Sequence, residues 1–286
     1  KKTLRMGDLL ELDAPSVQHR LKVIIDSKNL VLENVYNQEP LSYDEIMEWC
    51  RSQAEFFKDY ICDVGTLLGA AAGQGKNILF EAQLGALRDI DYGIYPFTSS
   101  SNTIASYAPI GAGIPGCALD NVVGVMKAYS TCVGEGPFVA ETAMGEAWNE
   151  KLRESGGEFG AATGRPRRVG PFDAVASRYG IRCQKAQDIA LTKLDVLGAF
   201  DKIPVITGYR LHGVLLDSFP TDSRLEEAEP VIEELPGWEC DISGCRSWKD
   251  LPENARKYVC TLEKLVDHPI YLVSTGAERD AYLLRE

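Results

Sequence analysis

Histidine is almost missing from this chain of 286 residues, which has only His19, His212 and His268. So small a supply leaves little room for histidine-based metal binding or a Ser-His-Asp triad. His268, directly before Pro269, reads as a structural residue at a helix-to-strand corner. Positive charge is short as well, with 30 Lys and Arg against 42 Asp and Glu, a net charge of −12. Nucleic-acid binding through the phosphate backbone needs the opposite field, so no nucleic-acid partner is expected. No apolar run reaches the roughly 18 residues of a membrane-spanning helix. No apolar stretch follows Lys1-Lys2-Thr3-Leu4-Arg5, so no signal peptide is expected. Eight cysteines are too few for a disulfide scaffold. The closest pair, Cys240 and Cys245, has no second pair or histidine to complete a zinc site. They read as reduced thiols in a cytoplasmic protein. Repeats and low-complexity stretches are absent too.

What is present is the composition of a folded protein, 45% hydrophobic and 25% charged. Residues 1–75 read as mainly helical. Pro15 can open a helix with Val17, Leu21, Ile24 and Ile25 on one face. Ser42-Tyr43-Asp44-Glu45 has the capping-box pattern. Ile46, Trp49, Cys50, Phe57, Ile61, Val64 and Leu68 then continue at helical spacing to Gly69 and Gly73. Asn77-Ile78-Leu79-Phe80 reads as a buried strand. The Gly-, Ser-, Thr- and Pro-rich stretch from Asp89 to Gly116 reads as a long binding loop, and 119–129 as a helix. Asp188–Thr192 reads as a strand. Pro252 starts a helix that stops at Asp267-His268-Pro269, and Ile270–Val273 follows as a strand ending at Ser274-Thr275-Gly276. This is the grammar of an open α/β sheet, in which ligands sit beyond the carboxyl ends of strands.

Thr192-Lys193-Leu194-Asp195 lies at one such end. An aspartate there can accept from both N1–H and the 2-amino group of guanine, while the lysine stem lies along the ring. Adenine has no such donor pair and would leave the carboxylate unpaired. A K-x-D surface turn fits the same residues; Ser274-Thr275-Gly276 supplies the second small-residue loop that a guanine pocket needs. Gly164-Arg165-Pro166-Arg167-Arg168 is the densest basic cluster and reads either as a seat for phosphate or carboxylate or as a solvated turn. Gly73-Gln74-Gly75-Lys76-Asn77 lacks phosphate-loop spacing, and no phosphate loop occurs elsewhere.

Taken together and in order, six stretches resemble one family. They are Asp89 to Thr103 (DIDYGIYPFTSSSNT), Lys127 to Phe138 (KAYSTCVGEGPF), Thr163 to Arg168 (TGRPRR), Leu191 to Leu197 (LTKLDVL), Leu235 to Trp238 (LPGW) and Val273 to Gly276 (VSTG). Along essentially all 286 residues the chain resembles adenylosuccinate synthetase, which uses GTP and Mg²⁺ to join IMP and L-aspartate. The resemblance implies a single α/β domain fragment, residues 1–286. Its central, mostly parallel sheet would be flanked by helices in the manner of P-loop ligases, with a helical region over 1–75 and the nucleotide- and substrate-binding part over 76–286. It also implies a homodimer.

By position, the resemblance implies that Lys193, Leu194, Asp195, Ser274, Thr275 and Gly276 hold the guanine, with Arg167 at the GTP phosphates. Gln83, Ser99, Val133, Arg165, Lys1 and Arg5 fall at IMP positions. Ala161, Ala162, Thr163, Gly164, Arg165 and Arg167 form the loop over the aspartate carboxylates. Three departures stand out. The family's E-G-A-Q-G appears as Glu81-Ala82-Gln83-Leu84-Gly85, which puts Leu84 in the glutamine's register. Pro171 replaces a tryptophan. The glycine-rich N-terminal segment that carries the family's general base, its catalytic histidine and most Mg²⁺ ligands has no counterpart. The resemblance therefore implies no catalytic residue and no metal ligand in this chain, and no synthetase activity from it alone. A non-catalytic guanine-nucleotide-binding or dimerisation module derived from the family is the other expectation.

Overall fold

The structure is a computed structural model that describes residues 2–161 and 163–285. The chain divides into two compact units, Lys1–Ile78 with Ala112–Ile114, and Leu79–Gly111 with Pro115–Glu286.

The first unit is helical: α1 (Pro15–Asn34), α2 (Tyr43–Phe57) and α3 (Val64–Gly73). Pro15 opens α1 at its first position, and Val17, Leu21 and Ile25 bury one stripe against Leu12, Met47 and Cys50. Ser42 Oγ accepts from Glu45 N, which caps α2. The single helix expected from Ser42 to Gly73 is two. The chain tightens into a 3₁₀ turn at Lys58–Tyr60, and Asp63 restarts it by accepting from Thr66 N at 3.1 Å. A local cap outweighs continuous apolar spacing here. The strand expected at Asn77–Phe80 is also absent: those residues are irregular, and Leu79 is 94% exposed. Among the described residues no partner strand takes its backbone groups, and an unpaired strand is not stable alone.

The second unit contains α4 (Ala108–Gly111), α5 (Val139–Thr142), α6 (Glu146–Gly156), α7 (Ala174–Gln184) and α8 (Glu253–Val266). Its strands are β1 (Val123–Lys127), β2 (Ser130–Cys132), β3 (Arg168–Gly170), β4 (Phe172–Asp173), β5 (Asp188–Thr192), β6 (Lys202–Leu211), β7 (Val214–Leu215), β8 (Glu229–Pro236), β9 (Ile270–Ser274) and β10 (Tyr282–Leu284). The principal sheet runs β1-β5-β9-β10, with β1, β5 and β9 parallel and β10 antiparallel. A second sheet pairs β4, β7 and β8 around β6, and β2 pairs with β3. This is the mostly parallel α/β architecture that the motif order implied.

Ile189, Ala190 and Leu191 of β5 are all buried, the mark of a strand covered on both faces. α8 covers one face with Ala255, Tyr258, Val259, Leu262 and Val266 at helical spacing. Tyr258 Oη donates to Ala128 O at 2.6 Å, tying that helix to the end of β1. The helix expected over 119–129 is instead β1. Its residues pair one-to-one with β5, and a Cβ on Gly124 would stand 2.9 Å from Ile189. Long-range pairing overrides local spacing at that edge. Among the described residues no helix is long and apolar enough to cross a membrane.

Asp173 caps α7 by accepting from Val175 N and Ala176 N, both at 3.0 Å, and from Tyr209 Oη. Burial pushes its carboxyl up to about 6 in spite of these donors. Its folded pKa thus lies above the ordinary aspartate value of about 3.9. The stability linked to its proton is complete below about pH 4 and is lost as pH rises through 6. Asp173→Asn keeps the cap acceptor and cannot ionise. Its stability relative to the parent is expected to rise by up to about 3 kcal/mol between pH 4 and pH 7. Urea melts at both pH values measure this; an unchanged difference contradicts it.

Candidate nucleotide and substrate site

Two of the loops singled out from sequence leave neighbouring parallel strands. Leu191 of β5 is in register with Val273 of β9, so the loops Thr192–Asp195 and Ser274–Gly276 begin at the ends of neighbouring strands. Lys193 takes φ 64°, turning the chain at the strand end, and its Nζ donates to Gly156 O at 2.8 Å. Leu194 is fully buried and anchors the turn in the core. Asp195 opens a short 3₁₀ segment, Asp195–Ala199, and is half-buried. On the second loop Thr275 is fully buried, its Oγ1 donating to Cys245 O at 3.1 Å and its N to Ala281 O at 2.8 Å. Ser274 Oγ closes the turn on Gly276 O at 2.9 Å.

Beside them the end of β1 meets the arginine loop through one carboxylate. Glu158, 1% exposed, accepts from Lys127 Nζ at 2.8 Å, Tyr129 Oη at 2.6 Å and Arg167 Nη1 at 2.8 Å. Burial opposes its ionisation, yet the Lys127 and Tyr129 donors and then Arg167 hold it below the usual carboxylate value. Burial pulls the Lys127 ammonium below its ordinary value in spite of Glu158, with repulsion from Arg167 and Lys193 adding to it. Burial and the adjoining Glu158 push the Tyr129 hydroxyl up. Two cations share one anion, so the cluster carries a net positive charge. Arg167 Nε is buried and without a partner.

Arg167 closes a loop stem. Phe159 bridges Pro166, Arg167 N donates to Glu158 O at 2.9 Å, and Gly160 N donates to Arg165 O at 2.8 Å. Gly164 sits at φ 64° and donates to Gly160 O. Ala161, Thr163, Gly164 and Arg165 form the exposed tip, with Arg165 N donating to Thr163 Oγ1. Ala162 lies outside the described residues, as does Lys1. Arg5 belongs to the first unit, where it precedes the 3₁₀ turn Met6–Glu11 and donates through its N to Asp8 Oδ2 at 2.7 Å.

Ser99 and Val133 line one groove of about 340 Å³, together with Leu84, Arg88, Phe97, Thr98 and Glu135. That volume falls in the range of small-molecule pockets, roughly 300–1,000 Å³. Leu84, at φ 74°, is in the lining; Gln83 is exposed and not part of it. Arg168 holds the groove's far loop through Gly134 O and Gly136 O while pairing with Glu141. Gly136 has φ 107°, and a Cβ there would stand 2.6 Å from Phe97. Gly136→Ala is expected to cost about 1–3 kcal/mol and to open the groove. Thermal melts check the cost; unchanged melting contradicts it.

Sequence reasoning assigned no role to Lys127 and Tyr129, which lie in the Lys127–Phe138 stretch, and did not single out Glu158 or Arg88. The helical reading of 119–129 concealed that Lys127 ends a strand beside β5. Glu158 was visible as an acid three residues before the loop tip, with nothing to show which donors it meets.

Parallel strands whose carboxyl ends carry a K-x-D loop and a small-residue turn, with an arginine-bearing loop joined to the end of β1 through Glu158, define an open α/β protein, a class in which ligands sit beyond the carboxyl ends of the strands. A family model described as adenylosuccinate synthetase matches residues 1–283. The chain is 45% identical over 285 residues to the adenylosuccinate synthetase of Trichlorobacter lovleyi and 44% identical to that of Pelobacter propionicus, covering 99% of this chain and 65% of each relative. A fully ligated adenylosuccinate synthetase from Plasmodium falciparum superposes with a TM-score of 0.90 at 32% identity, covering 99% of this chain and 66% of that one. The chain belongs to the adenylosuccinate synthetase family, and it spans about two thirds of the length of these relatives.

Proposed function

We propose that the chain supplies the guanine, IMP and aspartate seats of a GTP-dependent ligase of purine biosynthesis. In that reaction the γ-phosphoryl of GTP passes to the 6-oxygen of IMP, and the amine of L-aspartate displaces it as phosphate, leaving adenylosuccinate and GDP. The observation that supports this reading is the β5–β9 register, by which the loops carrying Asp195 and Ser274–Gly276 leave the ends of neighbouring parallel strands. Asp195 accepts from N1–H and the 2-amino group, Lys193 lies along the ring, and the Ser274–Gly276 turn lets backbone approach it. Arg167, placed by Glu158, faces the phosphates, and the Ala161–Arg165 tip covers the aspartate carboxylates with Arg165 between aspartate and IMP. Ser99 and Val133 contact IMP, and Leu84, in the groove lining, takes the place proposed for Gln83.

Mg²⁺ belongs to this reaction, but no group of three or more His, Cys, Asp or Glu side chains converges among the described residues. No step here depends on a magnesium ion held by these residues. A second copy of the chain is the proposed protein partner, which sedimentation of the purified chain tests. Calorimetric titration tests the seats: GDP is expected to bind at least tenfold more tightly than ADP. Equal affinities for the two sink the reading.

A further inference from the structure

Arg88 bonds to every segment of the groove, through its backbone and its side chain together. Its N donates to Gly85 O at 3.1 Å, next to Leu84, and its O accepts from Ser99 N at 2.8 Å. Its guanidinium donates to Phe97 O, to Val133 O at 3.0 Å, to Glu135 O at 3.1 Å and to Cys132 Sγ. The guanidinium's acceptors come from two stretches of chain, the farther reaching Glu135, 47 residues from Arg88. A guanidinium has five N–H donors in a rigid fork, and a lysine ammonium cannot span the same spread of carbonyls.

The acceptors are also neutral. Among the described residues Arg88 forms no salt bridge, unlike Arg167 and Arg168 nearby, which pair with Glu158 and Glu141. Carbonyl dipoles orient a guanidinium without cancelling its charge. The half-buried position of Arg88 keeps that charge from being fully screened. The groove thus has a fixed cation at its base, apolar surface from Leu84, Phe97 and Val133, and hydroxyls from Thr98 and Ser99. Such a set suits a planar apolar ring joined to an anionic group.

We propose that Arg88 is the positioning and specificity residue of the monophosphate seat: it holds the 97–99 and 132–135 loops at one spacing and supplies the charge that favours a purine nucleoside monophosphate there. This rests on the reading of the groove given under Proposed function. The test is calorimetric titration of the purified chain with IMP and, separately, with GDP, for the parent, Arg88→Leu and Arg88→Lys. Arg88→Leu is expected to weaken IMP at least tenfold and to leave GDP within twofold. Arg88→Lys, which keeps the charge and loses the fork, is expected to fall between the two. Arg88→Leu that binds IMP like the parent overturns the proposal, as does equal loss of IMP and GDP, which marks a merely structural residue. Should Arg88→Leu fail to fold, Arg88→Lys decides: unchanged IMP affinity overturns the inference, and selective weakening supports it. A parent that binds GDP and not IMP removes the monophosphate seat itself and this inference with it. Parent binding with no effect of either substitution removes only the role of Arg88.

Discussion

Asp195→Ala is expected to erase the preference for guanine, with GDP affinity falling about 30- to 100-fold and ADP affinity unchanged. The carboxylate stands at the mouth of β5, half-buried, on a turn held from behind by buried Leu194 and by the Lys193–Gly156 bond. Because the turn is anchored elsewhere, removing the carboxylate leaves its backbone in place, so the loss reads recognition and not folding. Two charge-assisted hydrogen bonds to the base are worth about 1.5–3 kcal/mol each in place. Part of that is offset by the hydration that the carboxylate gives up on binding, leaving about 2–3 kcal/mol, which corresponds to the stated loss. Asp195→Asn should be nearly as weak, since the amide replaces one acceptor oxygen by an NH₂ donor that faces a donor of the base. Calorimetry with GDP and ADP against the three proteins checks this. A uniform loss for both nucleotides would mean that Asp195 supports the loop and does not read the base.

Glu158→Gln is the substitution with the largest expected cost in stability. It leaves Lys127 and Arg167, each about one-third exposed, without their shared anion. Breaking a buried pair by removing one partner costs about 3–5 kcal/mol, and in a chain of this size each kcal/mol lowers melting by roughly 2–4 °C. Replacing the lysine as well, as Lys127→Met with Glu158→Gln, should recover part of the loss, because the stranded ammonium is gone. The acid limb carries a second signature. Glu158 is held below its ordinary value, so its contribution is present above the unfolded pKa near 4.3 and disappears as pH falls through the lower folded value. The gap between parent and variant should therefore close in acid. A gap independent of pH would show that Glu158 acts by packing alone. Because Arg167 is oriented by this carboxylate, the variant should also bind GDP more weakly than GMP would account for, the difference lying in the β-phosphate.

The elements that frame the site were legible where a signal was local. Asp188–Thr192 and Ile270–Ser274 are short apolar runs bounded by polar or turn residues, and α8 declares itself through Pro252 and a five-residue stripe ending at Val266. What could not be read depended on partners distant in sequence. β1 looks helical until β5, more than sixty residues later, pairs with it. Asn77–Phe80 looks like a strand until it is seen to have no neighbour. The break at Ile61–Asp63 was available in principle, since Asp63 three residues before Thr66 is a helix start. The K-x-D loop and the small turn were visible as candidates, but their adjacency is a property of sheet register. Glu158 and Arg88 gain meaning only from donors and acceptors 9 to 47 residues away, and no spacing rule announces them.

Hydrogen exchange of the purified chain with and without saturating GDP bears most directly on the claim that the two strand-end loops together form one guanine seat. Slowed exchange should appear in peptides covering both 192–197 and 273–277, and should be missing when ADP replaces GDP. Protection confined to one of those stretches, or placed elsewhere in the chain, contradicts a shared seat and with it the assignment of Asp195 as its reader.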